Sequence, residues 1–152
     1  MCNILTDFVI NINEEIMPDL RTYNIFISHA WSYDSDYVRL VDLLRNAPYF
    51  TWKNYSVSCD NPLAGGSNKK LAEEIDRQIR LASVVLVISG IYVTHREWIQ
   101  FEIDLADKYN KPIIGIQPWG STNTPAAITR SAVEIVNWNT NSIVDAIRRN
   151  AL

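Results

Sequence analysis

Val84-Val85-Leu86-Val87-Ile88-Ser89 is an unbroken apolar run, rich in β-branched residues, that ends on a hydroxyl. It is too short for a buried helix and does not alternate, so it predicts a strand covered on both faces near the middle of a parallel sheet. On its N-terminal side, residues 68–82 place Leu71, Ile75 and Ile79 on one helical face. Glu73–Arg77 and Asp76–Arg80 fall at the i,i+4 spacing of ion pairs on that helix. On its C-terminal side, residues 97–109 predict a second helix, and Pro112-Ile113-Ile114-Gly115-Ile116 a further strand.

The same alternation extends outward. Tyr23-Asn24-Ile25-Phe26-Ile27-Ser28 predicts the first strand. Asp34 or Ser35 can cap a helix carrying Tyr37, Val38, Leu40, Val41 and Leu44, stopped near Pro48. Residues 52–57 and 132–136 predict two more strands, and Ser142 a cap for a last helix through Ile143, Val144, Ala146 and Ile147. Five strands alternating with helices, joined by right-handed crossovers, imply an α/β, flavodoxin-like three-layer fold with a five-stranded parallel sheet. Residues 1–21 fit no element of that pattern and are expected to form an extension beside a domain spanning residues 22–152.

The chain has 152 residues, 47% hydrophobic and 20% charged, with a net charge of −3. These values suit one globular core and disfavour nucleic acid as a partner, since phosphate binding needs a basic face. Cys2 and Cys59 are too few for a disulfide scaffold, Met1-Cys2-Asn3-Ile4-Leu5 lacks a signal peptide's basic region, and no apolar run is long enough to span a membrane. The expected compartment is the cytoplasm.

In an open parallel sheet, ligands bind beyond the carboxyl ends of the strands. Those ends read Ser28-His29-Ala30-Trp31, Ser58-Cys59-Asp60, Ser89-Gly90-Ile91-Tyr92 and Gln117-Pro118-Trp119. They combine hydroxyls and amides with large aromatics suited to stacking on a flat ring. Glu102 stands out further. At ~100° per residue it shares a stripe with Trp98, Leu105, Ala106 and Tyr109, opposite Gln100, Asp104, Asp107 and Lys108. A carboxylate in an apolar face is costly unless it is paired or functional, so Glu102 is a catalytic group, half of a structural ion pair, or turned out to solvent by the way the helix starts. Ala64-Gly65-Gly66-Ser67-Asn68-Lys69-Lys70 leads into a helix and either cradles phosphate or simply caps that helix; its glycine–lysine spacing is not that of a Walker loop. His29 and His95 have no companions at metal spacing, so no metal is expected.

Three of these segments, taken together, resemble the Toll/interleukin-1 receptor (TIR) domain family. Residues 23–30 are similar to the family's first-strand motif, and Asp60-Asn61-Pro62 with Gly65-Gly66 to its assembly loop. Trp98-Ile99-Gln100-Phe101-Glu102 resembles the tryptophan-to-glutamate segment of TIR enzymes that cleave NAD. Ile27-Ser28-His29-Ala30-Trp31 is most like the bacterial TIR-like group that includes the Thoeris antiphage proteins. The phenylalanine–tryptophan box of animal receptor TIR domains is absent.

The resemblance implies NAD as substrate with no further cofactor, Glu102 as the catalytic residue, and Ser28, His29, Ala30, Trp31, Asp60, Ser89, Tyr92 and Trp98 around the substrate. It also implies TIR–TIR self-assembly and a cyclic or linear ADP-ribose product sensed by a separate effector protein. Two other activities share this outline: a non-catalytic TIR assembly module, and a nucleoside deoxyribosyltransferase-like enzyme with a glutamate at a glycosidic bond.

Overall fold

The structure, a computed structural model, describes residues 21–28, 35–57, 68–92, 96–118 and 124–152. The elements in chain order are β1 (Thr22–Ser28), α1 (Ser35–Asn46), β2 (Thr51–Asn54), α2 (Asn68–Leu81), β3 (Val84–Ile88), the single turn α3 (Ser89–Tyr92), α4 (Arg96–Lys108), β4 (Ile113–Gln117), α5 (Ala126–Ser131), β5 (Glu134–Asn137) and α6 (Thr140–Asn150). The sheet has the order β2-β1-β3-β4-β5 and every pairing is parallel. The flavodoxin-like α/β architecture is therefore present, and Val84–Ile88 is its central strand, buried at all five positions.

Period-two alternation in β1 divides the core. Tyr23, Ile25 and Ile27 face one side, where Tyr23 stacks on Phe50 at 5.3 Å and α1 packs against α6. Phe26 and Ser28 face the other, where α2 packs on α4 and α4 on α5. Each aliphatic side chain buried between these layers contributes about 1.5–3 kcal/mol. Tyr109 donates to Asp76 at 2.7 Å and ties α4 to α2.

Local chemistry sets the ends of α4, the helix that matters most below. Glu97 in its first turn and Lys108 in its last complement the helix dipole. Asn110 adopts φ 52°, the left-handed geometry asparagine tolerates. The Asn110 amide then bonds the Asp107 carbonyl and the Lys111 amide the Ala106 carbonyl, a Schellman closure that delivers Pro112 into β4.

Several boundaries differ from the sequence expectation, each for a physical reason. β2 ends at Asn54 rather than residue 57, because the Asn54 side chain accepts from the Ser56 amide and the Ser56 hydroxyl takes the Ile27 amide in place of a backbone carbonyl. β5 begins at Glu134 rather than residue 132, because the Ala132 amide closes α5 on the Ile128 carbonyl. The last helix is capped by Asn139, which accepts from the Ser142 amide, rather than by Ser142 itself. Arg77 pairs with Glu74 at i,i+3 rather than with Glu73, while Arg80 pairs with Asp76 as expected. Val38, placed with the apolar residues of its helix, is exposed.

Gly115 marks a close approach of layers. A Cβ there meets Ile128 Cγ2 at 2.9 Å and Ile135 Cγ1 at 3.2 Å, so α5 and β5 seat directly on the β4 backbone. Gly115→Ala should destabilise the fold by about 1–3 kcal/mol through overpacking. Urea unfolding should show a lower midpoint with an unchanged slope, and an unchanged midpoint would contradict the packing described.

Among the described residues, no helix is long and apolar enough to cross a membrane.

Candidate functional site

The sheet order reverses between β1 and β3, and a crevice opens at such a switch point beyond the carboxyl ends of the strands. β1 ends there on Ser28 and β3 runs there into Ser89, both buried. α4 carries Glu102 over the same rim. Its buried residues are Ile99, Glu102, Ile103, Leu105 and Ala106, so the glutamate lies in the middle of the apolar face with 3% of its surface exposed.

Burial raises the Glu102 carboxyl to about 8, although a hydrogen bond donated by the Ser28 hydroxyl pulls the other way. No arginine or lysine pairs with it among the described residues. The structural ion pair that one reading of the sequence left open is thus not found there; a hydroxyl is the partner. A buried acid held neutral near pH 7, one hydrogen bond from a rim serine, makes Glu102 a candidate functional group.

Ser89 adds a second unusual group. Its hydroxyl is buried and has no hydrogen-bond partner among the described residues. An unpaired buried hydroxyl costs about 1–3 kcal/mol, which a ligand on the rim can recover. Tyr92, at the other end of α3, is buried and donates to Gln100 at 2.9 Å, fastening α3 to the first turns of α4. Trp98 is half-buried one turn before Glu102 and meets Phe101 edge-on at 5.8 Å.

The fold therefore brings Ser28, Ser89 and Glu102 to one rim, with Tyr92 and Trp98 in the elements that carry them. His29, Ala30, Trp31 and Asp60 lie outside the described residues, as do Cys59, His95, Trp119 and the Gly65-Gly66 loop. Sequence reasoning missed a cavity of about 180 Å³ farther along the rim, lined by Asp36, Arg39, Pro118 and Trp138. The only signal for it in the sequence is a tryptophan directly after the last strand. No group of three or more potential metal ligands occurs among the described residues.

Comparison with known proteins bears on this geometry. The family model described as the Thoeris protein ThsB, TIR-like domain, matches residues 26–123. No curated protein matches the chain. Among solved structures, a Clostridium botulinum CMP N-glycosidase, BcmB, superposes with a TM-score of 0.52 at 13% identity, covering 85% of this chain and 99% of that one. A prokaryotic SEFIR domain gives 0.47 at 18% identity, covering 84% and 94%. At 13% identity the likeness to the N-glycosidase is one of fold.

Proposed function

This chain belongs to the TIR-like domain family of the Thoeris protein ThsB, and from that premise we propose that it cleaves the nicotinamide–ribose bond of NAD. The observation that carries the reading is Glu102, buried on the carboxyl rim with the Ser28 hydroxyl as its one partner among the described residues. Residues 22–152 form the TIR-like unit. The product is an ADP-ribose derivative, cyclic when an atom of the same molecule attacks the ribose, that signals infection to a separate effector in the cytoplasm. Self-association of TIR units completes the site, and His29, Ala30, Trp31 and Asp60 contribute to it alongside the residues on the rim.

Cleavage expels neutral nicotinamide from a pyridinium and leaves positive charge on the anomeric carbon. A carboxylate fixed beside that carbon stabilises the transition state. In the free site Glu102 holds a proton up to a pH of about 8. The cationic ring of NAD, placed against it, favours the ionised form, so substrate binding releases the proton. Ser28 holds the carboxylate in place, and the Ser89 hydroxyl bonds a ribose oxygen. Trp98 buttresses the helix turn that presents Glu102.

The pH dependence follows from the same proton. kcat/KM reports the free enzyme, so it should rise with pH to a plateau above about 8, while kcat should level off at lower pH because bound NAD has already displaced the proton.

The same raised carboxyl supports a second reading. A neutral acid can protonate a neutral leaving base, as glycosidase acids do, and the fold is shared with an enzyme named as a CMP N-glycosidase. Incubating the purified protein with NAD or CMP between pH 6 and 9, with and without extract of infected cells, separates the readings by mass spectrometry. Nicotinamide release that grows with pH supports NAD cleavage. Cytosine release that falls with pH, with NAD intact, establishes the second reading instead. No free base under any condition leaves assembly as the function.

A further inference from the structure

Beyond Glu102, the rim continues in an ordered series. Ser28 closes β1, Ser89 follows β3, Pro118 follows β4 and Trp138 follows β5, so the residues advance with the strand order. A Cβ at Gly90 falls 3.5 Å from Pro118, which places the residue after Ser89 against the wall of the Asp36–Arg39–Pro118–Trp138 cavity. Adjacent strands lie about 4.8 Å apart, so the step from β1 to β4 is about 10 Å and to β5 about 14 Å. A ligand that spans from Glu102 to Arg39 must also cross the carboxyl edge of the sheet, because α4 and α1 cover opposite faces.

The guanidinium in this cavity is unusually well placed to meet the end of such a chain. Arg39 lies over the Trp138 ring at 5.1 Å, and its Nη1 reaches Asp36 Oδ1 at 3.4 Å, a long and weak contact. These two neighbours orient the group from two sides. Its Nε and Nη2 have no partner among the described residues, and together they make the planar edge that binds a phosphate through two parallel hydrogen bonds. Trp138 itself is 8% exposed, so its role is to hold the guanidinium rather than to stack on a ligand.

From this arrangement we infer that the Arg39–Trp138 cavity is a diphosphate subsite, which receives the phosphate remote from the scissile bond. The substrate then runs from Glu102, past the Ser89 hydroxyl that has no partner among the described residues, over the carboxyl edge of the sheet to Arg39. Asp36 faces the same cavity and opposes an anion, so the subsite selects a ligand that can use the free guanidinium edge. The inference rests on the rim as the substrate site, and it makes the substrate a nucleoside diphosphate conjugate rather than a monophosphate.

ADP is the direct probe, because its binding requires no bond cleavage. In the intact protein, ADP should shift the indole N–H resonance of Trp138, assigned with Trp138→Phe. Arg39→Gln should weaken ADP binding by about tenfold or more, and Arg39→Lys should restore only part of it, since lysine lacks the paired donors. Arg39 is largely exposed, and an unchanged thermal transition would show that the substitution spares the fold. In turnover, Arg39→Gln should raise KM for NAD and leave kcat close to wild type, while nicotinamide mononucleotide, which lacks the second phosphate, should respond little. ADP that binds without moving Trp138, binds Arg39→Gln as well as wild type, or fails to bind at millimolar concentration overturns the subsite, whether or not NAD is cleaved. ADP bound through Arg39 in a protein that leaves NAD intact upholds the subsite and removes the reaction from Glu102.

Discussion

Glu102→Gln should reduce nicotinamide release from NAD by about a thousandfold or more, because the amide keeps the size of the side chain and an acceptor for Ser28 but not the negative charge. The loss should fall on kcat, since the charge matters most as the anomeric carbon becomes cationic. ADP affinity should hold near the wild-type value, which separates a chemical defect from a misfolded site. Equal rates for the two proteins would remove Glu102 from the reaction.

The same variant should be more stable than the wild type. Folded Glu102 keeps its proton up to about pH 8, whereas the unfolded carboxyl loses it near 4.5. Between those values folding takes up a proton, so the stability of the wild type is fully present below pH 4.5 and declines as pH rises toward 8. By pH 7 the decline is about 3 kcal/mol, on the scale of 1.36 kcal/mol per pH unit. Glutamine has no proton to bind, although its extra N–H gives back part of the gain. Glu102→Gln should therefore raise Tm by roughly 5 °C or more at pH 7 to 8, with the gap nearly closed at pH 5. A gap that does not change with pH, or a variant less stable at pH 8, would show that burial does not hold the carboxyl neutral. Loss of activity together with gain of stability is what a site maintained for function at the expense of the fold produces.

The parts of this molecule that were legible in its sequence are those encoded by local periodicity. Val84–Ile88 could be read as a central strand because a parallel strand buried on both faces needs an unbroken apolar run. Glu102 could be read as buried because helical spacing alone puts it among Leu105 and Ala106. Its partner could not. Ser28 is one hydroxyl among several at strand ends, and only the crossing of α4 over β1 selects it. α5 leaves no signal in the sequence because six residues, Ala126–Ser131, are too few to show a helical period. The sequence does not distinguish the caps of the last helix, because Asn139 and Ser142 are both good caps and the end of β5 decides between them. Arg39 and Trp138 lie in different halves of the chain, and neither shows in isolation that the two will meet.

The bond between Ser28 and Glu102 joins residues 74 positions apart. Each half of the chain therefore carries an incomplete centre: one holds the serine without the acid, the other the acid without the serine. Fragments split between them should be silent alone and regain activity only on reassociation of β1 with β3. A nascent or proteolysed chain is disarmed by the same arithmetic, so the proposed cleavage of NAD should begin only when the whole sheet has closed.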